Sequence, residues 1–411
     1  MRWNLRKIKE VALIRPPKKL AKSRVGSDDL VSVVPMECLG IDKKFFGSEK
    51  EGVLENVYSK YVYFEDDDVV IAKITPCFEN GKIGVASGLK NGIGFGSSEF
   101  IPFRCNDDLC PAFLYHFMDR DSFRNEGSRL MTGAVGHKRI PKDFYEEFSI
   151  PIPALEEQER IVEVLDEAFA AIDKAKANIE RNLTNARELF QSRLNDIFSN
   201  PSEDWEVKPL GEVCGEKSSI VDGPFGSNLK SADFVDEGVH VMKIQNIKPF
   251  ELSEKRQTYI TQQKAKELSR HSFKAKDILM TKLGSPLGVC AVVPSHLSGV
   301  IVADLVRIRP PKGMERFLEY YLNSPPSQNA INERSQGTTR PRVRISDVRN
   351  LSVPFPPLEE QERIVTELDS LDELKRSLEV KYQTELDNLE ELRQSILEQA
   401  FEGKLTEPVV V

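Results

Sequence analysis

Features that would settle the function quickly are missing from this chain. No apolar stretch is long enough to cross a bilayer, and the opening MRWNLRKIKE lacks the apolar segment of a secretory signal. The sequence therefore predicts a cytoplasmic protein. Its 411 residues, 40% hydrophobic and 30% charged, are an ordinary globular composition. That length allows roughly two to four domains.

Cysteine and histidine are scarce and scattered. No CxxC pair occurs, and neither a histidine cluster nor a second cysteine pair lies near Cys105 and Cys110. The five histidines show no metal-ligand spacing. The pattern predicts reduced, buried thiols and no metal site.

Motifs of nucleotide and methyl-transfer chemistry are also absent. The chain contains neither GxxxxGK[ST] nor an Asn-Pro-Pro-Tyr or Asp-Pro-Pro-Tyr motif. The glycines of NGIGFG (91–96) precede a strand-like GFGSSEFIPFR rather than a helix. An enzyme with its own nuclease or methylase site is therefore disfavoured, and we expect no catalytic residue and no cofactor bound by this chain.

An excess of positive charge is missing too, since the formal net charge is −8. The average hides a division along the chain. Residues 154–198 and 358–405 together contribute −12, which leaves +4 for the remainder. Nine Lys or Arg lie between Arg2 and Arg24, and five Arg between Arg334 and Arg349. Such clusters can bind a polyanion even though the whole chain is acidic.

One octapeptide, LEEQERIV, occurs twice, at 155–162 and 358–365. The likeness continues at the same offset of 203 residues, with IPIP (150–153) matching VPFP (353–356). The only two tryptophans, Trp3 and Trp205, open similar segments. FEDDDVVIAKI (64–74) also resembles FKAKDILMTKL (273–283), which places Lys73 opposite Lys282. These matches indicate a duplicated domain rather than a short-period solenoid.

Each octapeptide opens a long amphipathic stretch. Apolar residues recur at steps of three and four from Ile161 to Ile197 and from Ile364 to Ala400. The acidic first turns suit a helix N-terminus. Two helices of about 44 residues, roughly 65 Å each, are predicted. They would form an antiparallel coiled coil that acts as a spacer between the two variable segments; the alternative is two core helices, each covering its preceding domain. The proposed spacer and partner-binding positions are Leu155, Ile161, Leu165, Ile172, Leu358, Ile364, Leu368 and Leu371.

The segments before the helices differ strongly from each other. Short β-branched runs such as LVSVV, DVVIAKI and GVIVADLVRIR are separated by Gly, Asn and Pro. Short helices are predicted near 111–119, 261–270 and 314–323. The fold class is therefore α+β, with two α/β domains separated by the two long helices. We call residues 1–152 and 201–355 the first and second repeat domains; the long helices span 153–200 and 356–405, and 406–411 form a tail.

Two basic, glycine-containing loops lie just before the long helices. The first basic loop is LMTGAVGHKRIPKDF (130–144) and the second is RSQGTTRPRVRISDV (334–348). Arg, Lys, Ser and Thr on such loops suit DNA phosphates and base edges. A solvated loop is the alternative for either one alone, but equivalent loops in both repeats favour nucleic-acid binding.

Taken together, these motifs resemble the specificity subunit of type I restriction–modification systems. The resemblance covers nearly the whole chain and is carried by ITPCFENGKIGVA (74–86), NGIGFGSSEF (91–100), TGAVGHKRIP (132–141), DGPFGSNLK (222–230), QGTTRPRVRI (336–345) and the two PxPxLEEQERIV joints. It implies two target recognition domains with pseudo-twofold symmetry, each reading one half of a bipartite, asymmetric DNA site, with the helices setting the gap.

The resemblance further implies a non-catalytic chain with double-stranded DNA, two methyltransferase subunits and restriction subunits as partners. S-adenosylmethionine, ATP and Mg²⁺ would be used by those partners. A coiled-coil scaffold without DNA readout is the alternative function. The candidate DNA-binding residues are Lys73, Asn80, Lys82, Ser97, Ser98, Thr132, Gly133, Gly136, His137, Lys138, Arg139, Ser227, Lys230, Lys282, Gly337, Thr338, Thr339, Arg340, Arg342 and Arg344.

Overall fold

The computed structural model describes residues 3–134, 136–226, 228–337 and 339–405. The chain divides into two compact units, residues 1–179 with 384–411 and residues 180–383. Each unit therefore combines one repeat domain with parts of both long helices, whereas the sequence suggested that the helices were separate segments. Within the described residues, no helix has the length and apolar character needed to span a membrane.

The first repeat domain contains two sheets and a strand pair. Buried runs such as VVIA build the central strands, because β-branched residues pack well on a pleated surface. In spatial order the strands are Ala12–Ile14, Phe100–Cys105, Val69–Ala72, Ile83–Ala86 and Phe45–Phe46 in one sheet; Glu51–Val53, Leu30–Val34, Ile93–Gly96 and Val62–Glu65 in the other; and Asn4–Lys7 beside Ser149–Ile152. The α-helices are Ile8–Val11, Lys19–Arg24, Leu54–Tyr58, Pro111–Met118, Asp121–Leu130 and Lys142–Glu147, and the 3₁₀ turns are Met36–Cys38 and Lys90–Gly92.

The second repeat domain has the same kind of architecture. Its sheets run, in spatial order, Ile220–Asp222, Leu305–Ile308, Ile278–Thr281 and Cys290–Val292; and Phe234–Val235, Tyr259–Ile260, Val239–Met242, Gly299–Ile301 and Ser272–Phe273. Strand pairs join Glu206–Pro209 to Ser352–Phe355 and Ile247–Lys248 to Glu251–Leu252. The α-helices are Leu210–Val213, Gln262–Glu267, Glu315–Asn323, Pro325–Glu333 and Ile345–Arg349, and the 3₁₀ turns are Lys217–Ser219, Ser231–Asp233, Ile244–Asn246 and Ser269–His271.

Corresponding ion pairs show that the two domains are copies. Arg104 forms a two-point pair with Asp68 at 2.8 Å for both contacts. Arg309 pairs with Asp277 in the same way, at 2.7 and 2.8 Å. Arg104 lies in the strand Phe100–Cys105, which pairs with Val69–Ala72, and Arg309 directly follows Leu305–Ile308, which pairs with Ile278–Thr281. The α+β class and the duplication predicted from the sequence are therefore confirmed.

The two long helices are Leu155–Ser199 and Leu358–Phe401. In the first unit, Lys176 Nζ lies 2.6 Å from Glu390 Oε2. In the second unit, Arg187 pairs with Glu379 and Arg193 with Glu367. Partner numbers fall as numbers along the first helix rise, so the helices run antiparallel within the second unit, as predicted.

Each long helix also contributes to both domain cores: its start covers the preceding domain, as the alternative prediction of core helices had it, and its end covers the other domain. In the first unit, the Phe401 ring lies 4.9 Å from Phe113 and 5.2 Å from Phe117. In the second, Phe198 lies 5.7 Å from Phe317 and 5.4 Å from Tyr321. Each repeat domain is thus covered by the start of its own long helix and the end of the other.

The proposed spacer positions divide into two groups. Buried or partly buried residues line the apolar stripe: Ile161, Leu165, Ile172, Ile364, Leu368 and Leu371. Leu155 and Leu358 are instead 42% and 65% exposed. They lie in the first turn of each helix, before the packed stripe begins, and their role in binding a partner stays a prediction.

Candidate nucleic-acid interface

The first basic loop is closed by backbone hydrogen bonds. Thr132 and Arg139 exchange two of them, at 3.0 and 2.9 Å. The Ile140 amide donates to the Lys73 carbonyl at 3.1 Å, which attaches the loop to the end of the strand Val69–Ala72. Gly133 has φ of +128°, and a Cβ there would lie 2.9 Å from the His137 carbonyl oxygen. Glycine is therefore required to keep this hairpin narrow.

A carboxylate occupies the base of this loop. Arg139 donates to both oxygens of Glu99, with distances down to 2.8 Å, and Lys73 Nζ lies 3.7 Å from the same group. The hydrogen bond from Arg139 lowers the pKa of Glu99. The pKa of Lys73 is lowered, first by burial, and its Nζ also donates to the Ser98 carbonyl at 3.0 Å. Lys73 is thus mainly a structural cation, while Thr132, His137 and Lys138 remain exposed at the loop surface.

The second basic loop repeats this construction. Gln336 and Arg342 exchange backbone hydrogen bonds of 2.9 and 3.0 Å, and the Val343 amide donates to the Lys282 carbonyl at 3.0 Å. Gly337 takes φ of +90° at the turn. The loop is therefore attached to Lys282 as the first is to Lys73, in agreement with the sequence alignment.

The cations of the second loop are less neutralised than Arg139. Lys282 Nζ lies 2.9 Å from Asp222, so it is held as Lys73 is. Arg340 is 3.6 Å from Asp304 and its side chain is 65% exposed. Arg344 donates to the Gln336 side chain at 3.0 Å, and Arg342 is exposed. Arg340 and Arg342 can therefore reach an external ligand.

Residues 2–183 and 202–388 each match the family described as "Type I restriction modification DNA specificity domain".

The chain belongs to this family.

Its curated relatives include the type I restriction enzyme EcoAI specificity subunit of Escherichia coli, 34% identical over 227 residues, covering 54% of this chain and 37% of the relative. The EcoKI specificity subunit of E. coli strain K12 is 26% identical over 357 residues, covering 81% of this chain and 76% of the relative. The match to the EcoAI and EcoEI subunits thus spans just over a third of their length, 37% and 36%.

Two solved structures share the fold. One chain comes from a structure of complex assembly and conformational transition of the type I R-M system; it has a TM-score of 0.79 at 22% identity and covers 98% of each chain. The HsdS subunit of Thermoanaerobacter tengcongensis has a TM-score of 0.60 at 22% identity, covering 98% of this chain and 97% of its own. The repeat architecture of this specificity-family chain therefore recurs along the whole length of these proteins.

The PxPxLEEQERIV motif, present in both repeats, positions the start of each long helix. Gln158 Nε2 donates to the Pro153 carbonyl at 3.0 Å, and Gln361 Nε2 donates to that of Pro356 at 2.8 Å. The aspartates that end the extended match are used alike. Asp166 lies 3.1 Å from the His116 ring, and Asp369 accepts from the Tyr320 hydroxyl at 2.7 Å. Each copy of the octapeptide thus holds the start of its long helix to the segment before it.

The other candidate DNA-binding residues differ in their contacts and in their exposure. Lys82 Nζ donates to the Met36 carbonyl at 3.1 Å, so its ammonium group supports the fold. Ser97 Oγ accepts from the Glu99 amide at 3.2 Å. Asn80, Ser98, Gly136, Lys230 and Thr339 are exposed. Ser227 and Thr338 lie outside the described residues.

The exposed aromatic residue Phe225 is not among the site residues predicted from the sequence. Phe225 in DGPFG is 80% exposed, although a phenylalanine is normally buried. Its position between Gly223 and Gly226 in a polar turn was the available signal. Among the described residues, no group of three or more His, Cys, Asp or Glu is placed to hold a metal ion.

Proposed function

We propose that this chain reads DNA sequence as the specificity subunit of a type I restriction–modification enzyme. The observation that carries the proposal is the pair of basic loops, each closed by the same hydrogen bonds onto equivalent lysines. Because the side chains on the two loops differ, each repeat domain recognises a different half of a bipartite DNA site. Curated relatives named as type I specificity subunits support this role.

The chain itself is the non-catalytic member of its complex and binds no cofactor. Its partners are double-stranded DNA, two methyltransferase subunits that transfer a methyl group from S-adenosylmethionine to adenine, and restriction subunits that use ATP and Mg²⁺. The long helices dock the methyltransferase subunits, and the complex works in the cytoplasm. Incubating the pure chain with DNA, S-adenosylmethionine and Mg²⁺ tests this division; methylation or cleavage by the chain alone contradicts it.

Binding selection from a random bipartite DNA library tests sequence reading. The full-length chain, reconstituted with its methyltransferase partner, should enrich two fixed half-sites separated by a gap of constant length. Enrichment of no sequence would instead support a scaffold without DNA readout. The scaffold alternative is less favoured because it gives no reason for equivalent basic loops in both domains.

Arg342→Ala should reduce recognition of the half-site read by the second repeat domain. A base-reading arginine contributes about 1–3 kcal/mol of discrimination, so binding to the cognate half-site should fall far more than binding to altered sequences. Competition binding with single-base variants measures this difference. Lys312→Ala is the control, because Lys312 is exposed in the same domain and lies outside the second basic loop. An equal loss on all sequences would identify Arg342 as a phosphate contact.

The long helices are expected to set the gap between half-sites. Four residues added within 170–190, with four added near 384 to keep the helices paired, lengthen each helix by about 6 Å. Since DNA rises about 3.4 Å per base pair, the preferred gap should increase by about two base pairs. Repeating the library selection measures the gap. Exposed single substitutions such as Leu189→Ala serve as controls, and an unchanged gap contradicts the spacer role.

A further inference from the structure

A basic cleft of about 640 Å³ lies in the second repeat domain, next to the second basic loop. Its walls come from the strands Ile220–Asp222 and Leu305–Ile308, the turn Ser269–His271 and the helix Ile345–Arg349. Five basic side chains line it: Lys217, Arg270, Arg307, Arg309 and Arg349. None of these residues was among the candidate DNA contacts predicted from the sequence.

Arg307 is the buried centre of this cleft. The residue is only 3% exposed, and its Nη2 donates to the Ser218 carbonyl at 2.7 Å. Its Nε is buried and has no hydrogen-bond partner among the described residues. Burial and the neighbouring Arg309 lower the pKa of Arg307. A buried guanidinium with an unpaired donor requires a partner, because desolvating such a group is costly.

Arg349 repeats this situation at the wall of the cleft. Its Nη2 donates to the Ile220 carbonyl at 2.7 Å, while its Nε is buried without a partner among the described residues. The backbone carbonyl therefore fixes the guanidinium in place. Arg349 thus holds its positive charge at a fixed place in the wall of the cleft.

Among the described residues, Arg309 is the only one of these five cations that is paired with a carboxylate. Asp222 is the single acidic residue among the described residues that line the cleft, and Lys282 Nζ holds it at 2.9 Å. Arg309 is engaged by Asp277. Within the described residues, Lys217, Arg270, Arg307 and Arg349 form no ion pair within 4.0 Å. The cleft is therefore strongly electropositive.

The first repeat domain lacks this feature at the equivalent place. There the corresponding cleft has about 350 Å³ and is lined by Lys9, Glu10 and Glu146. By sheet register, the position of Arg307 is occupied by Pro102. By the offset of the repeat, Arg349 corresponds to Glu146. The basic cleft is thus not a consequence of the shared fold, because Pro102 and Glu146 stand where the second domain has Arg307 and Arg349.

We propose that this cleft binds a phosphate group, and that in the DNA complex the group belongs to the backbone at the half-site read by the second repeat domain. Guanidinium groups match the several acceptor oxygens of phosphate. The cleft borders the predicted interface directly, since Ile345 follows the second basic loop hairpin and Asp222 contacts Lys282. The DNA assignment rests on the proposed function; the phosphate assignment does not.

Charge neutralisation at the rim and at the wall of the cleft tests the proposal. Two variants of the full-length chain are made: the double variant Lys217→Gln with Arg270→Gln, and the single variant Arg349→Gln. Neither changes the deeply buried Arg307. Affinity for duplex DNA is measured against salt concentration. Each lost phosphate contact should reduce the slope of log K against log salt by about 0.9, with sequence preference retained. Lys312→Gln, an exposed substitution in the same domain, should leave the slope unchanged.

The source of the phosphate is distinguished by two further measurements. Methylphosphonate substitution at one backbone position should weaken wild-type binding but not further weaken Arg349→Gln. In one outcome, inorganic phosphate raises the melting temperature of the wild type but not of the variants, while all of them show the same slope of log K against log salt for DNA. In that case the cleft binds free phosphate and the DNA assignment fails. No response to either ligand overturns the phosphate site itself. Failure of the proposed function is separate, since it appears as wild-type binding without sequence preference.

Discussion

Arg393→Met is expected to lower the free energy of unfolding of the first unit by about 3–5 kcal/mol, the usual cost of breaking a buried ion pair. The Arg393 side chain is 2% exposed and lies 3.3 Å from Asp42 and 3.4 Å from Asp119. Its guanidinium also stacks 4.0 Å from the centre of the Phe169 ring. Methionine restores part of the volume but leaves the buried Asp119 carboxylate with one partner fewer. Urea denaturation followed by fluorescence and circular dichroism measures the loss.

The loss of unfolding free energy in Arg393→Met should depend on pH. This dependence distinguishes the electrostatic contribution of Arg393 from its contribution to side-chain packing. Burial raises the pKa of Asp119 to about 6, while Arg124 and Arg393 oppose the increase. A carboxyl with a raised folded pKa binds its proton more readily in the folded state. Its contribution to stability therefore falls as pH rises from about 4 to about 6. Removing Arg393 raises this pKa further, so the variant should lose more stability at pH 8 than at pH 5.

Two variants complete this test. Adding Asp119→Asn to Arg393→Met should recover stability at pH 8, because the buried carboxylate at position 119 is removed. Arg187→Met removes a salt bridge from an arginine whose side chain is 62% exposed, and such a pair contributes at most about 1 kcal/mol. A deficit in Arg393→Met that is equal at both pH values, or no larger than that control, contradicts the charge argument.

Phe401→Ala should destabilise the first repeat domain by about 3–5 kcal/mol, although it lies more than 200 residues away in sequence. The ring is 4% exposed and packs against Phe113 and Phe117. Phe198→Ala should have the same effect on the second repeat domain through Phe317 and Tyr321. Hydrogen exchange, resolved by peptide, identifies which domain loosens in each variant.

The controls for this prediction lie on the same helices. Leu392 and Leu189 are 48% and 62% exposed, so truncating either should change stability by only about 0.5 kcal/mol. Faster exchange in the second domain after Phe401→Ala, or none in either, would show that the helix end does not complete the first core.

Local patterns determined much of this protein. The period of three and four predicted both long helices, since an amphipathic helix repeats its apolar face within a few residues. The LEEQERIV duplication and the aligned Lys73 and Lys282 predicted that two domains share one architecture. The order of motifs predicted the family that the comparison then showed. These features depend on the spacing of neighbouring residues or on the likeness between two segments, and both can be read directly from the sequence.

Which cations face outward was decided only by the tertiary structure. The sequence treated Lys73, Lys82 and Arg139 as equal candidates, yet Glu99 and the Met36 carbonyl engage them across the fold. The basic cleft likewise joins Lys217, Arg307 and Arg349, which are far apart in sequence. Ion pairing depends on distances of a few ångströms between segments, and strand register sets those distances. These distances cannot be predicted from the spacing of residues along the chain.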